Sequence, residues 1–508
     1  MQKNTTITKD TIFLTTISLF LQGISLLLNV FITRKIGTEG IGIVSLILTF
    51  YSFALVLSNG NIFTSTSRFV SEEIGKSNGN VSKVMKFSLI FGIILSSICA
   101  VIILVFSEKL GNTYLKSANS VVAIRLLAFS LPLATIGSCL KGYFHARRLV
   151  KIPSLSDVLE FIVKSVVMAF GVVFLMPNKV LGIFTIISIS IILGEIVSSV
   201  YLSVIFLIKS EKSRGTEHSS TNFSKYFMGI LPIIVNAYVF AVLSSANDAL
   251  VPLTLHKFSH STGVALSEYG IFEAIIMPVI FFPSIILQSL SCILVPEISR
   301  EKSAKNLQKI NNLTKKVLTD TFSLAILVST VLFAFGTGIG ELFCENILAG
   351  NTLKILCPVI PFIYLEIVLE GILKGLGKQN FSTLISGIEY LIRLLAVVIF
   401  VPIIGFNGII ISYFSSNILC NIIRMIKVLR ETSTKFDLKN FILFPFFTSI
   451  FSLELTKLFT NNILTNNFSL KTVISVIIIT ILYILLSWII NKLLKSRKNT
   501  LLLSKKGV

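Results

Sequence analysis

The stretch that decides the fold runs from Leu140-Lys141-Gly142-Tyr143-Phe144, through Arg147-Arg148, to Glu160 and Lys164, and its pattern returns 229 positions later. Leu140-Lys141-Gly142 falls on Leu369-Glu370-Gly371, Glu160 on Glu389 and Lys164 on Arg393, with no gap needed. A second stretch agrees at nearly the same offset: Val70-Ser71-Glu72 lies over Val295-Pro296-Glu297, each closing a long apolar run before a charged loop. Two halves built from one unit are the mark of a pseudo-symmetric transporter, whose substrate path lies between related helical lobes.

Around that repeat the chain is apolar from end to end. Of its 508 residues 53% are hydrophobic and only 14% charged, and the mean hydropathy is +0.87, which no soluble domain matches. Runs of about 20 apolar residues recur, each long enough to cross a ~30 Å hydrocarbon core as a helix. Fourteen are counted, from 10–33 to 469–491. The expectation is an all-α polytopic membrane protein with two pseudo-symmetric six-helix lobes and a C-terminal helix pair. Lobe one takes residues 1–208, a cytoplasmic linker loop 209–225, lobe two 226–430, and the last pair with its basic tail 431–508.

The net charge of +21 raises the question of nucleic acid, and its distribution answers it. About three-quarters of the 45 Lys and Arg fall in loops on one side of the apolar runs, Arg424 being counted there, as the positive-inside rule requires for an even number of helices with both termini cytoplasmic. The charge is therefore topological, and nucleic acid is not expected as a partner. The Lys-rich stretch 300–316 reads as an interfacial segment beside anionic lipid headgroups. The six cysteines are scattered and read as free thiols, without metal-ligand spacing.

Polar groups inside a bilayer are costly and mark function or packing. Lys164 lies 11 residues past Pro153, hence ~16 Å deep, and Arg393 should match it in lobe two. Each follows a carboxylate by four residues, Glu160 and Glu389, so each pair can close on one helix face and serve either packing or transport. The second span holds Ser58-Asn59-Gly60-Asn61, a turn signal in mid-membrane, and continues as Thr64-Ser65-Thr66-Ser67-Arg68. A broken helix lining a cavity would satisfy those groups. The seventh span adds Asn236 and Asp248, and the eighth Glu268 and Glu273. Arg68, Lys164, Arg393, Asn59, Asn61 and Asn236 are the substrate-binding candidates. Asp248, Glu273, Glu160 and Glu389 are the candidates for coupling to Na⁺ or H⁺. Glu195 in the sixth span shows no partner in the sequence.

Several motifs do not hold. Gly75-Lys76-Ser77 imitates a phosphate loop, but the required glycine at position 70 is Val70. His256 and His260 lack a third ligand, and no nucleophile stands with a base, so neither metal, cofactor nor enzyme chemistry is expected.

The chain resembles the polysaccharide-exporter branch of the multidrug/oligosaccharidyl-lipid/polysaccharide flippase superfamily, above all its stage V sporulation protein B-like group. The resemblance rests on Arg34-Lys35-Ile36-Gly37-Thr38-Glu39-Gly40-Ile41-Gly42, on Leu140-Lys141-Gly142-Tyr143-Phe144 with Glu160, and on Pro283-Ser284, Ser289-Leu290-Ser291 and Leu294-Val295-Pro296-Glu297-Ile298-Ser299. It implies movement of a lipid-linked saccharide, such as a peptidoglycan precursor, across the bacterial cytoplasmic membrane by alternating access, alongside cell-wall synthesis proteins. It also implies Arg68 as a phosphate contact, because a guanidinium grips phosphate bidentately. The chain departs from the related lipid II flippases at Gln22 and Asn29, where those carry arginines, and at Glu273, where they carry a base. A cation-coupled drug or metabolite exporter is the alternative within the same superfamily.

Overall fold

A computed structural model describes residues 2–74, 80–113, 119–175, 181–209, 223–344, 346–461 and 468–504, without the side chains of 2–14, of 490–504 and of some residues at the ends of the stretches. Most of the expected linker, the Gly75-Lys76-Ser77 motif and the last four residues lie outside them. Among the described residues every regular element is a helix, and twelve helices are long and apolar enough to cross a membrane. Two physical reasons separate twelve from fourteen. The span Thr15–Ile74 is 60 residues long, about three times the ~20 residues of one crossing, and is counted once. Helix Lys151–Phe170 is not counted, and it carries Lys151, Asp157, Glu160 and Lys164 within its 20 residues.

The chain forms two compact units, Met1–Ala274 and Ile275–Val508. The first begins with α1 (Gln2–Asn59), which bends at Gly37, where φ is 78°, a conformation that favours glycine. After a turn at Gly60 and Asn61, both with positive φ, comes the short α2 (Ile62–Ile74), so the second span breaks where its Ser-Asn-Gly-Asn signal lies. Then follow α3 (Val81–Thr113), α4 (Asn119–Ala146), α5 (Lys151–Phe170), α6 (Leu181–Lys209), α7 (Phe223–Ser259) and α8 (Thr262–Ile271). Packing thus groups α7 and α8 with lobe-one helices, further along the chain than the repeat boundary. Tyr226 of α7 meets Ser88 at 2.5 Å, and Tyr238 donates to the Leu57 carbonyl at 2.7 Å.

A π-helical turn, Phe272–Ile276, carries the chain into the second unit, which contains α9 (Met277–Phe281), α10 (Ile285–Ser303) after the Pro283 turn, α11 (Leu307–Cys344), α12 (Ile347–Leu356), α13 (Ile360–Gly375), α14 (Gln379–Ile404), α15 (Phe406–Glu431), α16 (Phe444–Asn461) and α17 (Phe468–Ser504). The C-terminal pair α16 and α17 packs on α11 through Thr330 with Ser449, at 3.0 Å, and Ser323 with Tyr483, at 2.8 Å. Large apolar side chains such as Val105, Phe129 and Ile403 are exposed, which suits lipid as their neighbour.

Small residues let the backbones close up, since between helices in lipid contact must supply what the hydrophobic effect supplies in water. A Cβ on Gly42 would overlap the Leu266 carbonyl oxygen of α8, and one on Gly270 would lie 2.5 Å from the Gly42 nitrogen. Ser267 donates to Thr38 beside them at 2.6 Å, so the Gly-Thr-Glu-Gly-Ile-Gly motif is a packing surface for α8. The same contact recurs once in each repeat. Gly142 of α4 lies against Thr66 of α2, and its counterpart Gly371 of α13 lies against Ser291 of α10, the residue that the second repeat offset pairs with Thr66.

The joint before the C-terminal pair is ionic. Lys315 of α11 holds Asp437 at 2.8 Å, and Asn311 donates to the Ser433 carbonyl at 2.6 Å. The hydrogen bond from the Lys315 ammonium keeps the Asp437 carboxyl below its usual range, with Asn440 assisting.

Gly42→Ala should cost roughly 1–3 kcal/mol by overpacking, whereas Gly387→Ala, where an added Cβ meets nothing within 4 Å, should gain up to about 1 kcal/mol of helix propensity. Thermal midpoints of the purified variants in detergent decide this. Because the Asp437 value is depressed on folding, the joint contributes in full above about pH 4 and is lost as pH falls through the folded value. Asp437→Asn should therefore flatten the acid limb of the wild-type melting curve, and an unchanged acid limb would exclude the joint as a source of acid lability.

Candidate functional site

In the first unit α4, α5 and α6 bring five charged side chains into a chain of alternating sign. Lys141 Nζ lies 2.7 Å from Asp157 and 3.3 Å from Glu160. Lys164 Nζ lies 2.6 Å from Glu160, one helical turn before it, and 3.3 Å from Glu195 on α6. Gly194 makes room for this, because a Cβ there would meet the Lys164 stem at 2.6 Å. Glu195, without a visible partner in the sequence, thus has one in the fold. Alternation offsets part of the desolvation penalty each charge would carry alone.

The second unit repeats the network on α13, α14 and α15. Arg393 donates to Glu389 at 3.0 Å and to Ser416 at 3.2 Å, and its guanidinium lies 4.4 Å from the Tyr413 ring centre. Arg424 donates to Glu389 at 2.7 Å, to Asn421 at 2.8 Å and to Ser386 at 2.9 Å, with Glu366 at 3.6 Å. Ser386 in turn donates to Glu370, which also holds Lys374. Arg424 corrects the topological count, since it is fully buried within α15 and is no loop base.

Superposed by the repeat, the two networks agree in place and differ in sign. Glu160 and Glu389 keep their charge, as do Lys164 and Arg393. Lys141 becomes Glu370, Asp157 becomes Ser386 and Glu195 becomes Arg424, three changes that leave the second set one unit more positive than the first. Sequence reasoning missed Glu195 and Arg424 as a pair because Arg424 was counted among the inner loop bases and Glu195 showed no partner in its own span. The 229-residue offset itself aligns them.

Arg68 stands on a different element. The α2 helix buries Ile62, Thr66, Phe69 and Val70 and leaves Thr64, Arg68, Ser71 and Glu72 exposed on its other face. The Arg68 side chain is 57% exposed, bonded to Glu72 at 2.9 Å. Asn59 is held against α4, accepting from Thr135 and donating to Ser138, and Asn61 accepts from Thr64 at the start of α2. Asn236 is exposed on α7, Asp248 accepts from its neighbour Asn247 at 3.3 Å, and Glu273 lies in the π turn. The structure therefore joins Glu160 with Lys164 and Glu389 with Arg393, and leaves Arg68 paired locally on its own helix.

The sequence model described as "Polysaccharide biosynthesis protein" matches residues 7–300, more than half of the chain. The chain belongs to that family. A second model, MatE, matches residues 257–399. Family relatives in Bacillus subtilis (strain 168) include Stage V sporulation protein B, 22% identical over 447 residues and covering 86% of each chain, and Sporulation protein YkvU, 22% identical over 375 residues, covering 73% of this chain and 82% of that one. Among solved structures, the lipid II flippase MurJ in an inward closed conformation has a TM-score of 0.72 at 16% identity, covering 95% of this chain and 99% of that one. An inward-facing multidrug resistance MATE family transporter of the MOP superfamily has a TM-score of 0.63 at 14% identity, covering 82% and 94%. The fold of this chain is thus that of multi-pass membrane transporters.

Arg424→Met should destabilise the protein by on the order of 3 kcal/mol, since it leaves Glu389 and Asn421 under-satisfied in the interior. Arg68→Met, on an exposed face, should cost less than about 1 kcal/mol. Thermal unfolding of the two variants separates a structural charge from one available to a ligand, and equal midpoints would overturn that division.

Proposed function

We propose that this protein moves a lipid-linked saccharide of the polyprenyl-pyrophosphate type across the bacterial cytoplasmic membrane by alternating access, with both termini on the cytoplasmic side. The family and the transporter fold support the class of activity, and the names of the flippase and sporulation relatives suggest peptidoglycan precursor as cargo. The observation that carries the reading is the exposed polar face of α2, which closes the candidate membrane span Thr15–Ile74. Such a face in a membrane protein calls for water or a polar ligand. Arg68 supplies the phosphate contact, with Thr64 and Ser71 as hydroxyl partners for the headgroup. Lys164 and Arg393 are the secondary candidates, and each would have to exchange a carboxylate for phosphate.

A cation-coupled exporter of drugs or metabolites is the second reading. The MatE match over residues 257–399 favours it. In that case the acids Asp248 and Glu273 would meet Na⁺ or H⁺. Anionic lipid at the basic inner loops and cell-wall synthesis proteins are partners on either reading.

The test depletes the protein in its host and labels outward-facing lipid-linked precursor in cells carrying wild type, Arg68→Ala or Arg68→Lys. Depletion should trap precursor inside, and both variants should fail, Arg68→Ala by at least about tenfold, because lysine cannot reproduce the bidentate contact. Normal export after depletion excludes peptidoglycan precursor, and rescue by Arg68→Lys reduces the contact to a point charge.

A further inference from the structure

We propose that the network around Lys164 in the first unit is a proton-exchange site, with Glu195 as the carboxyl that takes up and gives back the proton, and that its counterpart in the second unit is a fixed latch. The inference deepens the transport reading by naming the coupling ion and its place.

The argument begins with charge balance. In the first network three carboxylates, Asp157, Glu160 and Glu195, face two ammonium groups, Lys141 and Lys164. In the second, three carboxylates, Glu366, Glu370 and Glu389, face Lys374, Arg393 and Arg424. Among the described residues the second network is neutral as it stands, whereas the first is one positive charge short. An uncompensated carboxylate among buried groups costs several kcal/mol, and a bound proton is the smallest thing that removes it.

The burial of the acids places the missing charge. Asp157 is 49% exposed and closely paired with Lys141, so that end of the network is neutral and wet. Glu160 and Glu195, 16% and 10% exposed, are left to share the single ammonium of Lys164. Glu160 has the shorter bond, 2.6 against 3.3 Å, and Lys141 as a second neighbour. With the proton on Glu195, Lys164 belongs to Glu160 alone and the group is neutral. With the proton gone, Lys164 bridges α5 to α6 between two carboxylates. The exchange moves one proton between Glu195 and water and changes which helix holds Lys164. Other titratable groups facing the site are Tyr51 of α1, whose hydroxyl accepts from Ser130, and His145 of α4 towards Asp157.

The cations make the same division. The first network uses lysines, compact charges on flexible stems that can change partner, while the buried cations of the second are arginines, fixed by planar geometry and charged at every physiological pH. Arg424 has four oxygens around it and no exposure, and Arg393 is packed on Tyr413. The two arginines of that network are thereby held in place.

The test uses the full-length protein in lipid nanodiscs, without any saccharide, titrated from about pH 5 to 9 and followed by infrared difference spectroscopy. Wild type should show a protonated-carboxyl C=O band that grows as pH falls; it should vanish in Glu195→Gln and persist in Glu366→Gln. Should Glu195→Gln not fold, Glu195→Asp, which withdraws the carboxyl by one methylene from Lys164, should move the midpoint by about one pH unit, a tenfold change in proton affinity. No titrating band in wild type, survival in Glu195→Gln, loss in Glu366→Gln, or an unmoved midpoint in Glu195→Asp each overturns the assignment. So does a band that responds to Na⁺ at fixed pH, which would make the site one for a metal cation. Because no cargo is present, a negative result leaves the flippase reading intact, and failure of precursor export leaves this site intact.

Discussion

A charge in hydrocarbon must find its counter-charge within the reach of its own side chain, and here that requirement is met inside each repeat separately. Lys164 spans from α5 to α6, and Arg424 spans from α15 to α14, so in both units an ion pair fixes which helices are neighbours before any apolar contact is considered. Glycines at the adjoining seams then set the spacing, Gly142 against α2 and Gly371 against α10. Charge selects the partners and small residues set the distance, an order that reverses the usual logic of a soluble core, where apolar burial chooses the neighbours.

Much of this was legible in the sequence because membranes penalise error so heavily. Twenty-residue apolar runs, a one-sided basic charge and the recurrence of Glu160 and Lys164 at Glu389 and Arg393 define the class of fold without any tertiary information. The break at Asn59-Gly60-Asn61 was visible for a local reason, since two adjacent residues able to adopt positive φ sit in a run that otherwise favours helix. What could not be read were pairings between helices distant in sequence. Arg424 looked like one more inner-side base, and Glu195 looked solitary, because sign and partner are settled across α5–α6 and α14–α15, contacts that no periodicity encodes. Asn59 and Asn61 drew attention as cavity groups, yet their side chains are taken up by α4 and by the first turn of α2.

The contrast between α2 and the buried networks separates two uses of polarity. In the networks most charged groups meet partners of their own repeat. The outer face of α2 instead holds one guanidinium tethered by one carboxylate a turn away, with hydroxyls on either side, and such a surface stays open to exchange of partners. The candidate binding surface thus lies on a short helix after a break, while longer helices carry the buried ion pairs.

That each network closes within its own stretch of chain also bears on how the protein is made. Every member of the first network has left the ribosome by Glu195, long before Glu366 begins the second. With a proton on Glu195, its lysines and carboxylates can be inserted as a neutral set while the remaining helices are still untranslated, so that no half-built intermediate has to hold a naked charge in lipid awaiting a partner from the other repeat. The inverted signs of the two networks reinforce that economy during synthesis: Glu195 and Arg424 are suited to the charges of their own repeats, and each nascent half carries its own instruction for pairing locally.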